Sequence, residues 1–190
     1  SRYINLIAGG IQYLLRDEFT TDRAAGAVNG TAPEPGPGTR NATASRVVIS
    51  GGAIIATGSS VWTEAGWNLT TPITRSPGIV GIWKFKRPSA LTNFTIGFAS
   101  LTDFNFTGYN NIGFAGDSAL GLSARGTSAI TSPLVYTMIA DTYYRVAIAL
   151  RANGRFMFIH DGTSWKLLWF DALNTASPVY AGATVLTNNQ

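Results

Sequence analysis

The sequence predicts an all-β protein, a two-sheet antiparallel jelly-roll sandwich with a long Pro/Gly-rich loop. Three observations lead there. Short apolar or alternating runs are separated by turn signals every ~8–12 residues. No amphipathic run reaches the length of a stable helix. Glycine (21) and threonine (22) are abundant in 190 residues, which suits many strands joined by tight turns.

Taken in order, Tyr3–Ala8 reads as a strand, Gly9-Gly10 as a break, and Ile11–Phe19 as a second apolar stretch. Residues 1–14 are expected to form an N-terminal extension or inter-subunit strand, and 15–190 the jelly-roll domain. Thr20–Thr43 is a loop, because the three prolines of Ala32–Gly38 lack donors and its glycines break regular structure. Loops of that length are usually functional or make contacts. Gly36-Pro37-Gly38 is not a phosphate loop, since no Lys-Ser/Thr and no helix follow. Arg46–Ser50 and Ala53–Thr57 flank Gly51-Gly52, a two-residue hairpin turn. Ile79–Arg87 alternates, with Val80, Ile82, Lys84 and Lys86 on one face and Ile79, Gly81, Trp83 and Phe85 on the other. Asn93–Leu101, Thr131–Asp141, Thr142–Arg151, Arg155–His160, Trp165–Asp171 and Val179–Thr187 complete the strands.

Asn153-Gly154 is the strongest hairpin signal, so Ala152 is expected opposite Arg155 and Ala147 opposite His160. One face of that hairpin then carries Val146, Ile148, Leu150, Met157 and Ile159, a core layer. The other carries Arg145, Ala147, Ala149, Arg151, Phe156, Phe158 and His160, a second packed layer or a binding surface.

Several motifs stand in a consistent order: Asp17–Thr31, Glu34–Arg40, Arg46–Gly52, Tyr144–Arg151 and Trp165–Trp169. Over roughly residues 15–182 they resemble a group of laminin-G-like, concanavalin-A-like jelly-roll domains of environmental bacterial and phage proteins. The resemblance implies the sandwich fold and a setting in modular surface or virion proteins. In such domains the first strand pairs with a closing strand near the C-terminus. Here Tyr3–Leu15, a neighbouring subunit or a further domain is expected to take that place, because an unpaired edge is a liability.

Composition excludes whole classes of chemistry. There is no cysteine, which removes disulfides, zinc fingers, iron–sulfur clusters and thiol nucleophiles, and His160 is the single histidine. The net charge of +4 comes from 11 Arg and 3 Lys spread along the chain, with one cluster, Lys84-Phe85-Lys86-Arg87. Nucleic-acid partners are not expected from so dispersed a pattern. No run reaches the ~18 apolar residues of a membrane span. Five Asn-x-Thr sequons (Asn29, Asn41, Asn68, Asn93, Asn105) are read as Thr-rich strands beside Asn turns. Charged residues are 13%, about half the ~25% usual for soluble domains, which hints at surface covered by neighbours.

Each candidate site has a plainer reading beside it. Two-carboxylate glycoside hydrolysis needs closely spaced acids. Only Glu18, Glu34 and Glu64 are present as glutamates, so no enzyme is expected. His160, Asp161 and Ser164 read as a solvated turn rather than a triad, since neighbouring strand residues face opposite ways. Calcium is the one metal considered, on Asp103, Asn105 and Asp117 with Asn110 and Asn111 nearby, although Asx residues are also ordinary turn formers. Otherwise no cofactor is expected. A glycan site would draw on Trp62, Trp67, Tyr109, Asn110 and Trp165, in or beside loops, with Asn68 and Asp161 available as polar partners. Trp83 and Trp169 are read as core.

The functional expectation is a non-catalytic structural module of a phage capsid or tail, a capsid decoration, or an extracellular assembly. It would act as a homo-oligomer or through other virion or surface proteins, located in the virion or at the cell surface. The alternative is a lectin-like carbohydrate-binding module recognising cell-surface glycans.

Overall fold

A computed structural model describes residues 16–43, 45–56, 65–73, 78–87, 92–99, 111–116, 120–125, 131–172 and 180–187. In chain order the strands are β1 (Arg40–Ala42), β2 (Val47–Ser50), β3 (Ala53–Ala56), β4 (Gly66–Leu69), β5 (Ile79–Lys86), β6 (Thr92–Ala99) and β7 (Asn111–Gly116). They continue with β8 (Gly121–Arg125), β9 (Thr131–Thr137), β10 (Tyr143–Arg151), β11 (Gly154–His160), β12 (Trp165–Asp171) and β13 (Tyr180–Thr187). A seven-stranded sheet, β1-β4-β13-β6-β7-β8-β9, faces a four-stranded one, β12-β11-β10-β5, and β2-β3 form a separate hairpin. The chain is an all-β jelly-roll sandwich. The proposed N-terminal extension lies outside the described residues. The C-terminal strand β13 lies inside the seven-stranded sheet, between β4 and β6, and does not pair with β1.

Period-two alternation buries one face of each sheet in the main core. Phe94, Ile96, Phe98, Ile112, Phe114 and Leu122 come from one sheet; Ile79, Tyr144, Val146, Ile148, Leu150, Met157 and Ile159 come from the other. Across the interface Trp83 meets Phe98 edge-on at 5.0 Å, and Phe85 lies 5.1 Å from Phe94. Tyr144 brings a hydroxyl into this core and satisfies it by accepting the Ile139 N–H at 2.7 Å. A second core of Val28, Ala42, Val47, Ile49, Trp67 and Leu69 lies under the β2-β3 hairpin and the long loop. Gly51 (φ 58°) and Gly52 (φ 75°) make the turn of that hairpin, where two positive φ angles require glycine or its near equivalents.

The loop of residues 20–39 is held by two carboxylates, Glu34 within it and Asp17 just before it. Asp17 accepts from Arg40 Nε (2.7 Å) and Nη2 (2.6 Å), and from the Glu34 N–H (3.1 Å). Glu34 accepts from the Thr20 hydroxyl (2.6 Å) and the Thr21 N–H (2.8 Å). The chain thus closes its proline-rich segment onto itself.

The β10-β11 hairpin differs from the expected register. Arg151 pairs with Gly154 and Arg145 with His160, so the turn is Ala152-Asn153 and Gly154 opens the next strand. Gly154 has φ 143°, a conformation that side chains disfavour, and this fixes the glycine just after the turn rather than within it. The slip is an even number of residues, so each side chain keeps its predicted face.

Candidate functional site

The face of the four-stranded sheet turned away from the core is built in rows, because its strands are in antiparallel register. Lys84 lies opposite Arg145, Arg145 opposite His160, and His160 opposite Trp165. The next row is Ile82, Ala147, Phe158 and Leu167; the one after is Val80, Ala149, Phe156 and Phe170. A bulge in β12 at Leu168 lets Leu168 and Trp169 pack against the core while Leu167 and Phe170 both stay on the outer face. Phe156 and Phe170 stack obliquely at 4.7 Å. The middle of these rows is low, since Ala147 and Ala149 carry only methyl groups. The result is an apolar floor beside a polar row.

Lys84, Tyr143, Tyr144, Arg145, His160 and Gly162 line a depression of about 190 Å³ at the polar end. The Lys84 ammonium sits over the Tyr143 ring, 4.7 Å from its centre. The Arg145 side chain is exposed and makes no hydrogen bond or ion pair among the described residues. His160 Nδ1 accepts the Gly162 N–H at 3.1 Å, so the neutral ring carries its proton on Nε2. The same ring meets Trp165 edge-on at 5.2 Å.

The turn after β11 sets this geometry. Asp161 Oδ1 accepts the N–H groups of Thr163 and Ser164, each at 2.9 Å, while Oδ2 meets Lys166 Nζ at 2.5 Å. Lys166, then the Ser164 and Thr163 N–H groups, hold the Asp161 carboxyl well below the usual carboxylate range, and the same contact raises Lys166. Asp161 therefore braces the turn and does not orient His160 as a triad would. Lys166 is neutralised there and turned away from the cationic row.

Of the residues expected to bind glycan, Trp165 is placed on this face beside His160. The expectation for Trp67 is corrected. Its ring is buried in the second core, 5.5 Å from Phe19 in a T-shaped contact, because β4 is an interior strand and not a loop. Asn68 is likewise fully buried. Trp62, Tyr109 and Asn110 lie outside the described residues, as do the calcium candidates Asp103, Asn105 and Asp117. Asn111, named beside the calcium candidates, begins strand β7. Among the described residues no three His, Asp or Glu side chains gather as metal ligands do.

Sequence reasoning missed Lys84, Tyr143 and Arg145 as partners of Trp165. The signal was present in two pieces, the alternation of Ile79–Lys86 and the polar side of the β10-β11 hairpin. Joining them required knowing that β5 pairs with β10, a contact between segments some sixty residues apart.

No family model and no curated relative matches this sequence. Solved structures share its fold. LamAcat from Zobellia galactanivorans superposes with a TM-score of 0.56 at 17% identity, covering 92% of this chain and 86% of its own. A LamA variant from the same organism, in complex with laminaritriose and laminaritetraose, gives 0.56 and 17% over 92% of this chain and 88% of its own. The SPRY domain of human HERC1 gives 0.46 and 15% over 75% and 86%. The expectation that the chain is not an enzyme is corrected by this finding: the fold that spans 92% of the chain is shared with LamAcat, so the fold is no mark of a non-catalytic module.

Proposed function

We propose that the protein binds carbohydrate on the outer face of its four-stranded sheet. The observation that carries this reading is the row Lys84–Arg145–His160–Trp165, with hydrogen-bond donors and an indole side by side above an apolar floor. Sugars present hydroxyls at their edges and C–H groups on their faces, and binding sites meet them with a few fixed polar groups beside aromatic surface. Arg145 and His160 Nε2 supply donors, and Trp165 and Tyr143 supply rings. The LamA variant that shares the fold holds laminaritriose and laminaritetraose, which supports reading this sandwich as a glycan scaffold. The assembly role expected from the sequence has no comparable support.

A glycan array probed with the purified protein, followed by calorimetry on the strongest ligand, tests the reading. Trp165→Ala is expected to weaken binding by about tenfold while the far-ultraviolet spectrum stays unchanged. A silent array, or full affinity in the Trp165→Ala protein, removes this site from consideration. New reducing ends in the same incubation read out turnover.

A further inference from the structure

We propose that the ligand of this face is an anionic polysaccharide, recognised through carboxylate or sulfate groups that settle between Lys84 and Arg145. This inference rests on the glycan-binding reading and specifies its substrate class. Lys84 and Arg145 are direct cross-strand partners on the same face of β5 and β10. Like charges so placed repel and destabilise a sheet unless an anion lies between them. No carboxylate of the described residues does. Asp161 is committed to Lys166 and two backbone N–H groups, and Asp141 lies beside Lys86 at 3.5 Å. The Arg145 fork is exposed and meets no partner among the described residues, in the form best suited to two-point contact with a carboxylate or sulfate. His160 Nε2 adds a donor on the next strand, so three donors line one depression of about 190 Å³.

The neighbouring rows explain why the anion belongs to a sugar chain. Val80, Ile82, Phe158, Leu167 and Phe170 offer broad apolar contact next to Lys84 and Arg145, two cations that meet no carboxylate among the described residues. A second copy of the same face would bring its own cations against these. A nucleic acid would call on a longer basic track, since such proteins neutralise about 6–10 phosphates. A polyuronate or sulfated polysaccharide, with C–H faces and one anion per unit, matches both halves of the surface.

The test is binding of four probes to the full chain at low and moderate salt: oligogalacturonate, dextran sulfate, laminaritetraose and a single-stranded oligodeoxynucleotide. An acidic saccharide is expected to bind at least tenfold tighter than laminaritetraose. The preference should fall as salt rises, because surface charges are screened. The oligogalacturonate and dextran sulfate arms decide between carboxylate and sulfate. Arg145→Gln and Lys84→Gln should each weaken the acidic saccharide roughly ten- to a hundredfold and weaken any laminaritetraose binding by less, so that the preference for the acidic probe narrows; equal losses for both kinds of saccharide overturn the anionic class. Laminaritetraose bound as tightly as both acidic probes overturns the anionic class while the glycan reading stands. Failure of all saccharides removes both. An oligodeoxynucleotide bound as tightly as the acidic saccharides shows a general polyanion surface and overturns the inference.

Discussion

Arg40 is wholly buried, yet its charge is met on three sides. Asp17 takes a two-point contact, the Thr31 hydroxyl accepts from Nη1 at 2.9 Å, and the Phe19 ring lies 5.5 Å from the guanidinium carbon. Removing one member of a buried pair strands the other charge away from water, which is worse than having neither. Asp17→Ala is therefore expected to lower unfolding stability by about 3–5 kcal/mol, measured by urea denaturation. The double substitution Asp17→Leu with Arg40→Met should recover a large part of that loss, because no charge is left unpaired. Equal losses in the single and double variants would show that packing alone accounts for this site.

The long loop, as an element, depends on Glu34. Hydrogen bonds from the Thr20 hydroxyl and then the Thr21 N–H lower its pKa from 4.5 to about 2. A carboxylate with a depressed folded-state pKa contributes stability above its unfolded value and loses that contribution as pH falls through the folded one. The contribution of Glu34 is thus complete above about pH 4.5 and gone below about pH 2. Glu34→Gln should flatten the pH dependence of stability across that window, and hydrogen exchange at Thr21 should rise in the variant already at neutral pH. An unchanged acid profile would show that the loop is held without this carboxylate. Elsewhere, what was legible followed local rules. Gly51-Gly52 predicted its hairpin and Ile79–Arg87 its two faces, because turn chemistry and alternation are local. What was not legible was non-local. β4, β7 and β8 are short, β7 and β8 are rich in small residues, and the place of all three is set by pairing partners. In β6 and β7, Gly97 and Gly113 face each other so closely that a Cβ on Gly97 would come within 2.5 Å of the Ile112 carbonyl oxygen. That fit is visible only once the two strands are paired.

At the scale of the whole molecule, the two sheets differ in what they show the solvent. Among the described residues seven large apolar side chains are exposed, and five of them, Val80, Ile82, Tyr143, Leu167 and Phe170, lie on the outer face of the four-stranded sheet. Apolar side chains scattered singly need no explanation, but a contiguous patch marks a binding surface. The low charge of the chain, 13%, fits this face, which spends most of its positions on apolar contact and carries two cations, Lys84 and Arg145, that meet no carboxylate among the described residues. Val80 and Leu167 stand at opposite edges of this patch, each 54% exposed. Replacing both with threonine keeps β-branched or strand-tolerant residues in place and removes apolar surface without opening a cavity. The double variant Val80→Thr with Leu167→Thr is expected to change stability by less than about 1 kcal/mol, to reduce binding of a hydrophobic dye, and to weaken the bound saccharide several-fold while its salt dependence stays the same. That combination would separate the apolar floor from the cationic row as independent contributors. A stability loss beyond about 3 kcal/mol would instead make both side chains part of the packed interior, and the face would no longer qualify as a surface for any ligand.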